Sequence, residues 1–322
     1  MDTSNDLAIG IDIGGTNTKY GIVNHRGEIL QQGELKTDAY PKIEDYIDAL
    51  FNVLTPVIAS FKKKHFQGIG IGAPNGNFYS GTIEYAPNLK WKGIIPLAKL
   101  MSDKFKLPAR LTNDANAAAV GEMNYGAARG MKDFIMITLG TGVGSGIIAN
   151  GQLILGHDGF AGELGHTVIV PGGRLHEGTG MRGSLEVYAS ATGVAKTAVE
   201  LLEKLPRRES LLRAYKSNEI DSKVVFDCAS KGDEIAKEVY AFTGKILGEA
   251  LANFVMFSSP EAIILFGGLT KAGDMILKPA KHNMEINLLP IFQNKVRLIF
   301  SELKESDAAI LGASALVWEL KN

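Results

Sequence analysis

Two turns rich in glycine and threonine, far apart in the chain, constrain its fold most. Residues 12–19 read DIGGTNTK and residues 140–146 read GTGVGSG, and apolar, strand-like sequence flanks each turn on both sides. Glycine has no Cβ, so the backbone N–H groups of such a turn can approach an anion closely. The pair Asn113-Asp114 lies between the two turns. Together these features predict a polyphosphate that is held from both sides of a cleft, beside a carboxylate.

The composition is that of an ordinary globular protein with room for two domains. The chain has 322 residues, and its formal net charge is −1. No basic stripe is present, so we expect no nucleic-acid partner. Cys228 is the only cysteine, which excludes an internal disulfide and permits a reducing compartment. The first residues lack the layout of a signal peptide and no apolar run could span a membrane, so we expect a cytoplasmic protein without a membrane partner.

The spacing of the apolar residues predicts two α/β halves with similar outlines. Each half opens with a strand, a glycine-rich turn and a meander of antiparallel strands, and continues with helices and buried strands. In the first half we expect strands over 7–13, 20–23, 28–35 and 68–72, and helices over 41–64 and 115–125. In the second half we expect strands over 134–139, 147–155, 262–266 and 296–301, and helices over 184–205, 233–257 and 307–318.

The common nucleotide-binding signatures do not explain the glycine-rich turns. A P-loop requires Gly-Lys followed by Ser or Thr, but the one Gly-Lys pair, Gly244-Lys245, is followed by Ile246 within a predicted helix. Residues 68–73 resemble a dinucleotide-binding fingerprint, but Pro74 and a polar stretch follow where a helix should begin. Both turns therefore join strands instead of opening helices.

Two acidic residues at strand ends are candidates for the chemistry. Asp12 could accept hydrogen bonds from its own turn or, as the second turn favours, face Mg²⁺ through water. Asn113 and Asp114 lie where a strand turns into a helix, a position typical of N-caps. A carboxylate placed there could also accept a proton from a substrate hydroxyl.

Three further polar residues could face a polyol. Glu163 and His166 would lie on one side of the chain if their segment is helical, although a surface loop is the plainer interpretation. Glu186 could equally be an exposed first-turn glutamate favoured by the helix dipole.

The ordered set of motifs resembles the ROK family of sugar kinases and repressors, within the actin/hexokinase-like ATPase superfamily. The resemblance runs from about residue 7 to the last helix and includes residues 12–16, 72–75, 113–118, 140–146, 163–166 and 267–268. It implies an α/β fold with two actin-like (ribonuclease H-like) domains around a deep nucleotide and sugar cleft. The first domain would comprise residues 1–122 and a C-terminal helix over 307–322, and the second residues 123–306.

The resemblance also implies a role for each matching residue. Asp114 would be the catalytic base, taking the proton of the sugar 6-hydroxyl as that oxygen attacks the γ-phosphorus of ATP. The implied sugar ligands are Asn88, Asn113, Glu163, His166 and Glu186. The implied ATP-binding residues are Asp12, Gly14, Gly15, Thr16, Asn17, Thr141, Gly142, Gly267, Gly268 and Leu269, and Asp12 would also face Mg²⁺ through water.

The implied activity is ATP-dependent phosphorylation of a hexose at its 6-hydroxyl, with glucose as the first choice. Kinases of the same family that act on N-acetylglucosamine, N-acetylmannosamine or fructose are alternatives. A sugar-responsive repressor is a further one, although only eleven residues precede Asp12 and the chain is not basic. An actin-like ATPase without a sugar substrate would not need Glu163, His166 and Glu186. A homodimer is the expected assembly.

The chain departs from the family at its zinc site. The family uses the histidine at position 166 and three cysteines, but Glu177, Thr179 and Ser184 stand where the cysteines should be. Thiolates are the usual ligands of a closed structural zinc site, so we predict no structural zinc. A site rebuilt from His157, His166, His176 and Glu177 is conceivable but not expected. Asn75 also replaces a glycine that is common in the family.

Overall fold

The computed structural model describes residues 5–62, 64–304 and 306–318. Its first half contains, in chain order, β1 (Asp6–Ile13), β2 (Asn17–Asn24), β3 (Ile29–Lys36), α1 (Ile43–Ser60), β4 (His65–Gly72), β5 (Gly76–Asn77), β6 (Thr82–Glu84), β7 (Ile94–Ile95), α2 (Leu97–Phe105), β8 (Ala109–Thr112) and α3 (Asp114–Tyr125). The rest contains β9 (Phe134–Leu139), β10 (Val143–Ala149), β11 (Gln152–Leu153), α4 (Glu186–Ala189), α5 (Ala191–Lys204), α6 (Ser222–Ser230), α7 (Glu234–Ser258), β12 (Ala262–Phe266), α8 (Asp274–Ile286), β13 (Arg297–Phe300) and α9 (Ala308–Trp318).

Each half is built around a five-stranded sheet, and the two sheets share one topology. The first has the order β3-β2-β1-β4-β8 and the second β11-β10-β9-β12-β13. In both, an antiparallel meander of three strands continues into two parallel strands. A small sheet, β5-β6-β7, extends the first half. The α/β fold with duplicated halves is therefore as the sequence predicts.

The last helix returns to the first half of the chain. α9 packs on β1, β4 and α3, and nearly all of its side chains are buried. A Cβ at Gly10 or Gly70 would collide with the backbone carbonyl of Ile310 or Ala313. Glycine at these strand positions therefore lets the α9 backbone lie directly on the sheet. The exact division into residues 1–122 with a helix over 307–322, and 123–306, stays a proposal, and residues 1–4 and 319–322 of it lie outside the described part.

The structure corrects one predicted helix. The helix expected over 184–205 is two, because α4 ends at Ala189 and α5 begins at Ala191. Ser190 lies between them in an extended conformation, and its Oγ accepts a hydrogen bond from Gly193 N (3.0 Å). It thus caps α5 and ends the preceding turn. Among the described residues, no helix has the length and apolar character that a membrane span requires.

Candidate active site

One cavity of about 540 Å³ lies between the two halves and gathers most of the predicted site residues. Those that line it are Asn88, Asn113, Asp114, Thr141, Gly142, Glu163, His166, Glu186, Gly267 and Gly268. The sequence placed these residues in six separate segments. Six other predicted residues do not line the cavity: Asp12, Gly14, Gly15, Thr16, Asn17 and Leu269.

The start of α3 places Asp114 in the cavity. Asn113 is the N-cap, and its Oδ1 accepts a hydrogen bond from Asn116 N (2.7 Å). Asp114 follows in the first turn, where its Oδ1 accepts from Ala115 N (2.8 Å). Burial raises the pKa of the Asp114 carboxyl, although this hydrogen bond opposes the shift. The capping role therefore falls to Asn113, and Asp114 is left with an accessible carboxyl group that lines the cavity.

Asp12 lies close to Asp114 from the neighbouring strand. β1 pairs with β4 so that Asp12 stands beside Gly72, and a Cβ at Gly72 would lie 3.7 Å from both Asp12 Oδ1 and Asp114 Cα. Burial, and then the charge of Asp114, raise the pKa of Asp12 to about 6, while Lys19 partly opposes them. Because the charge of Asp114 acts on Asp12, a cation or a proton at Asp12 is favoured.

Asp12 fits the requirements of Mg²⁺ but not those of a metal cage made by protein alone. Mg²⁺ commonly binds one or two carboxylates and completes its shell with phosphate oxygens and water. The described residues contain no group of three or more His, Cys, Asp or Glu side chains that could enclose a metal. Asp12 would therefore hold Mg²⁺ together with the phosphates of a bound nucleotide.

The first glycine-rich turn packs against a predicted sugar ligand. Gly14 N donates to Asn17 O (2.9 Å), which closes the turn. A Cβ at Gly15 would lie 2.7 Å from Asn88 O, so only glycine lets the turn approach Asn88 this closely. Thr16 is exposed at the tip of the turn. The turn that is expected to bind phosphate and the segment expected to bind sugar are thus in direct contact.

The second glycine-rich turn contacts Glu186. Val143 N donates to Glu186 Oε2 (2.7 Å), and a Cβ at Gly142 would collide with the same oxygen. His176 Nε2 lies 2.8 Å from Glu186 Oε1. Sequence reasoning considered His176 only as an unlikely zinc ligand. The spacing of His176 and Glu186 in the sequence does not indicate that the two side chains meet.

Glu163 precedes a short 3₁₀ turn and His166 ends it, so this segment is not an α-helix. The turn comprises Leu164–His166, and Glu163 Oε2 lies 3.9 Å from His166 Nε2. Ser145, on β10, holds this segment because its Oγ bonds to Gly162 O and accepts from Leu164 N (3.1 Å). Ser145 also lines the cavity, and the sequence analysis did not single it out.

The residues predicted for the adenosine side lie where β12 ends. Gly267 and Gly268 line the cavity, and Gly267 has φ +105°, which favours glycine. Leu269 is buried, and its side chain packs in the core of the second half. Leu269 is therefore placed to support the glycine pair from behind, without lining the cavity itself.

The residues at the family's zinc positions do not fit a zinc ion. Glu177 is exposed and lies 3.8 Å from Lys196, while Thr179 contacts His176. His166 Nδ1 and Ser184 Oγ are buried and have no hydrogen-bond partner among the described residues. Without thiolates, these groups offer neither the charge nor the four ligands that structural zinc requires.

Comparison with known proteins agrees with this architecture. A family model described as "ROK family" matches residues 8–319. The chain is 38% identical over 319 residues to a glucokinase of Halalkalibacterium halodurans, covering 98% of this chain and 96% of that protein. It is 30% identical over 321 residues to a xylose repressor of Caldicellulosiruptor bescii, covering 96% of this chain and 77% of the repressor.

A solved structure shares the fold over almost the whole chain. It is a ROK family glucokinase from Streptomyces griseus in complex with glucose and AMPPNP, with a TM-score of 0.78 and 31% identity. The similarity covers 97% of this chain and 99% of that one. Because the family model, the curated relatives and the solved structure all match nearly end to end, this chain belongs to the ROK family.

Proposed function

We propose that this chain is an ATP-dependent glucokinase, which transfers the γ-phosphoryl group of ATP to the 6-hydroxyl of glucose. The observation that carries the proposal is the single cavity in which Asp114, the second glycine-rich turn and the candidate polyol ligands meet. Glucokinases similar to this chain over nearly its full length support the choice of reaction, and the glucose and AMPPNP bound by one of them support the choice of substrates.

Positioning and charge stabilisation would supply most of the catalysis, as in other phosphoryl transfers. Asp114 would accept the proton of the 6-hydroxyl as O6 attacks the γ-phosphorus, and ADP would leave with the electrons of the broken P–O bond. The second glycine-rich turn lines the cavity and would bind the phosphates there, and the first turn, beside Asn88 but outside the cavity lining, would contact them from the other half. Mg²⁺ would neutralise phosphate charge beside Asp12, and the chain's own carboxyl groups then remain free for the proton and the sugar.

The substrate would be read by hydrogen bonds to its hydroxyls. Asn88, Asn113, Glu163, His166 and Glu186 would bind the sugar, and all five line the cavity. A site built in this way rejects analogues that lack a hydroxyl, because buried polar groups would be left unpaired. We also propose a homodimer in the cytoplasm, with no nucleic-acid partner. Sedimentation velocity tests the assembly, and a DNA mobility-shift assay with sugar tests the repressor alternative.

A panel of sugars in an assay that couples ADP formation to NADH oxidation tests the substrate. Glucose should give the highest kcat/KM, against N-acetylglucosamine, N-acetylmannosamine and fructose. If an N-acetylated sugar gives a higher kcat/KM than glucose, that sugar and not glucose is the preferred substrate. Sugar-independent ATP turnover would instead support an ATPase.

Asp114→Asn tests the catalytic base. The asparagine keeps the size of the side chain and an oxygen for Ala115 N, but it cannot take a proton. We expect kcat to fall by about 10²- to 10⁴-fold, while the Kd for glucose changes little. Asp103→Asn, on the exposed face of α2, is the matched control and should keep full activity. Near-normal turnover in Asp114→Asn would refute the assignment.

A further inference from the structure

The segment that replaces the family's zinc loop contains a histidine that contacts the sugar site. We propose that His176 is a positioning residue for the hexose: it holds the Glu186 carboxylate in the orientation that receives sugar hydroxyls. This inference rests on the proposed function. It concerns a residue that does not itself line the main cavity, and it assigns a role to a loop that has lost its metal ligands.

Glu186 is held at both of its oxygens. Oε2 accepts from Val143 N (2.7 Å), and Oε1 lies 2.8 Å from His176 Nε2. Oε2 also lies against Gly142, where a Cβ would collide with it. The side chains of Glu186 and His176 are only 16% and 24% exposed, so solvent competes weakly for these contacts. The backbone contact alone would fix one oxygen and leave the carboxylate free to rotate about it.

The other nitrogen of His176 sets which tautomer is present. Nδ1 accepts a hydrogen bond from Thr179 N (3.1 Å) and lies 2.8 Å from Thr179 Oγ1. A backbone N–H can only donate, so Nδ1 carries no proton. The single proton of the neutral ring is then on Nε2, which donates it to Glu186 Oε1. The imidazole thus orients the carboxylate and leaves its negative charge in place.

The turn that carries His176 is closed by its own backbone. His176 N donates to Met181 O (2.8 Å), and Gly180 N donates to His176 O (2.8 Å). Gly180 has φ +73°, a conformation that glycine adopts without strain. Thr179 stands where the family has a thiolate, and here it supplies the two groups that face Nδ1. Hydrogen bonds within the turn therefore do locally what a metal does in relatives with thiolates.

This arrangement has a direct consequence for sugar binding. Each carboxylate oxygen has two acceptor sites, so Glu186 keeps free acceptors after bonding to Val143 and His176. Glu186 lines the same cavity as Glu163, and the charges of these two carboxylates repel each other. Removing the His176 donor would let Glu186 turn away from Glu163. The lost interaction is with the sugar, and the phosphoryl transfer at Asp114 is not directly affected.

The test compares His176→Phe with His176→Gln. Phenylalanine keeps the ring but removes the donor, and glutamine restores an N–H donor to the carboxylate. We expect His176→Phe to raise the KM for glucose and its Kd without nucleotide by about 10- to 100-fold, the range for a lost hydrogen bond to a charged group. The kcat should change less than about threefold, and the KM for ATP should stay the same, because both depend on groups other than Glu186. His176→Gln should recover most of the loss.

Two controls separate this role from a general structural one. His282 is exposed on α8 and does not line the cavity. His282→Phe makes the same substitution there and should leave kcat and both KM values unchanged. Thermal unfolding of every variant shows whether it is folded. An unchanged glucose KM in His176→Phe, a parallel fall in kcat and ATP affinity, or no rescue by glutamine would overturn the inference. Failure of the wild type to phosphorylate any hexose would instead overturn the proposed function, and this inference with it.

Discussion

At the scale of single residues, the fold keeps two carboxyl groups where their charges are unfavourable. Desolvation by the surrounding protein raises the pKa of Asp12 on β1 and of Asp114 on α3, and the charge of Asp114 raises that of Asp12 further. Strong shifts of this kind concentrate at functional sites, because chemistry there requires charges that packing alone would not select. Without bound ligands, the protein should therefore be more stable when one of these two carboxylates is replaced by a neutral side chain.

Asp12→Asn tests this trade between stability and function. The folded-state pKa of about 6 lies above the ordinary 3.8, so folding favours the protonated form and an ionised Asp12 destabilises the fold. At pH 7.5 the variant should be more stable than the wild type, by up to about 3 kcal/mol for a shift of about two units. The difference should vanish well below the ordinary pKa of 3.8, because Asp12 is then protonated in both the folded and the unfolded protein.

Urea unfolding at several pH values measures the effect. Asp103→Asn is the control, since hydrogen bonding to Lys99 lowers the pKa of that exposed carboxyl and the sign of the effect reverses. Kinase activity should be lost in Asp12→Asn. Equal stability of Asp12→Asn and the wild type at pH 7.5 would contradict the prediction.

At the scale of elements, the loop before α4 is held by an arginine. Arg174 binds both oxygens of Glu200 on α5 (2.7 and 2.8 Å) and donates to Thr197 Oγ1 (2.9 Å). Its guanidinium also stacks 4.6 Å over the Tyr188 ring. A bidentate, stacked arginine that is only 11% exposed is a rigid attachment. Together with the His176 turn, it fixes the loop to α4 and α5.

We therefore expect purified protein to contain no stoichiometric zinc. A zinc-selective chelator should leave both the Tm and glucose binding unchanged, because the loop is held by Arg174 and hydrogen bonds. Arg174→Lys should lower the Tm, since lysine cannot bind bidentately or stack in the same way. Elemental analysis by plasma mass spectrometry measures the metal. One zinc per chain, or a Tm that falls on chelation, would show that the loop binds metal despite its missing thiolates.

At the scale of the whole molecule, two hydrogen bonds join the halves of the chain outside the cavity. Asn77, in the small sheet of the first half, is buried and donates from Nδ2 to Asp158 O (2.8 Å). Tyr79 Oη donates to Gly156 O (2.9 Å) beside it. Residues 156–159 belong to the loop that continues to Glu163. This contact between the halves is therefore connected through the loop to Glu163, a candidate sugar ligand, and we expect it to favour a closed arrangement of the halves.

Asn77→Ala should weaken glucose binding by roughly 2- to 10-fold, the equivalent of one lost buried hydrogen bond. The Glu163 loop would lose its buried hydrogen bond to the first half and keep only that of Tyr79, so the closed arrangement would become less favourable. Tyr79→Phe should have a smaller effect, because the Tyr79 side chain is largely exposed. Calorimetric titration gives the affinity, and X-ray scattering with and without glucose follows closure. Unaltered binding and closure in Asn77→Ala would show that this contact is incidental.

The fold could be predicted because its signals are local. Alternating and continuous apolar runs, interrupted by Gly14-Gly15 and by residues 140–146, indicate strand, turn and strand without reference to the rest of the chain. The helix predicted over 184–205 failed at Ser190, since a single capping residue does not disturb the apolar periodicity around it. The order of motifs then named ten residues that line one cavity, together with six that do not line it.

What the sequence alone determined is therefore the family, the paired α/β halves and about half of the residues that line the cavity. Only the tertiary structure decided which atoms meet. The contacts of Glu186 with Val143, of Asn77 with Asp158 and of Arg174 with Glu200 join residues that are far apart in the chain. Such pairings depend on how whole helices and strands pack together. The segment between two partners could adopt many arrangements, and its apolar periodicity would be the same in all of them.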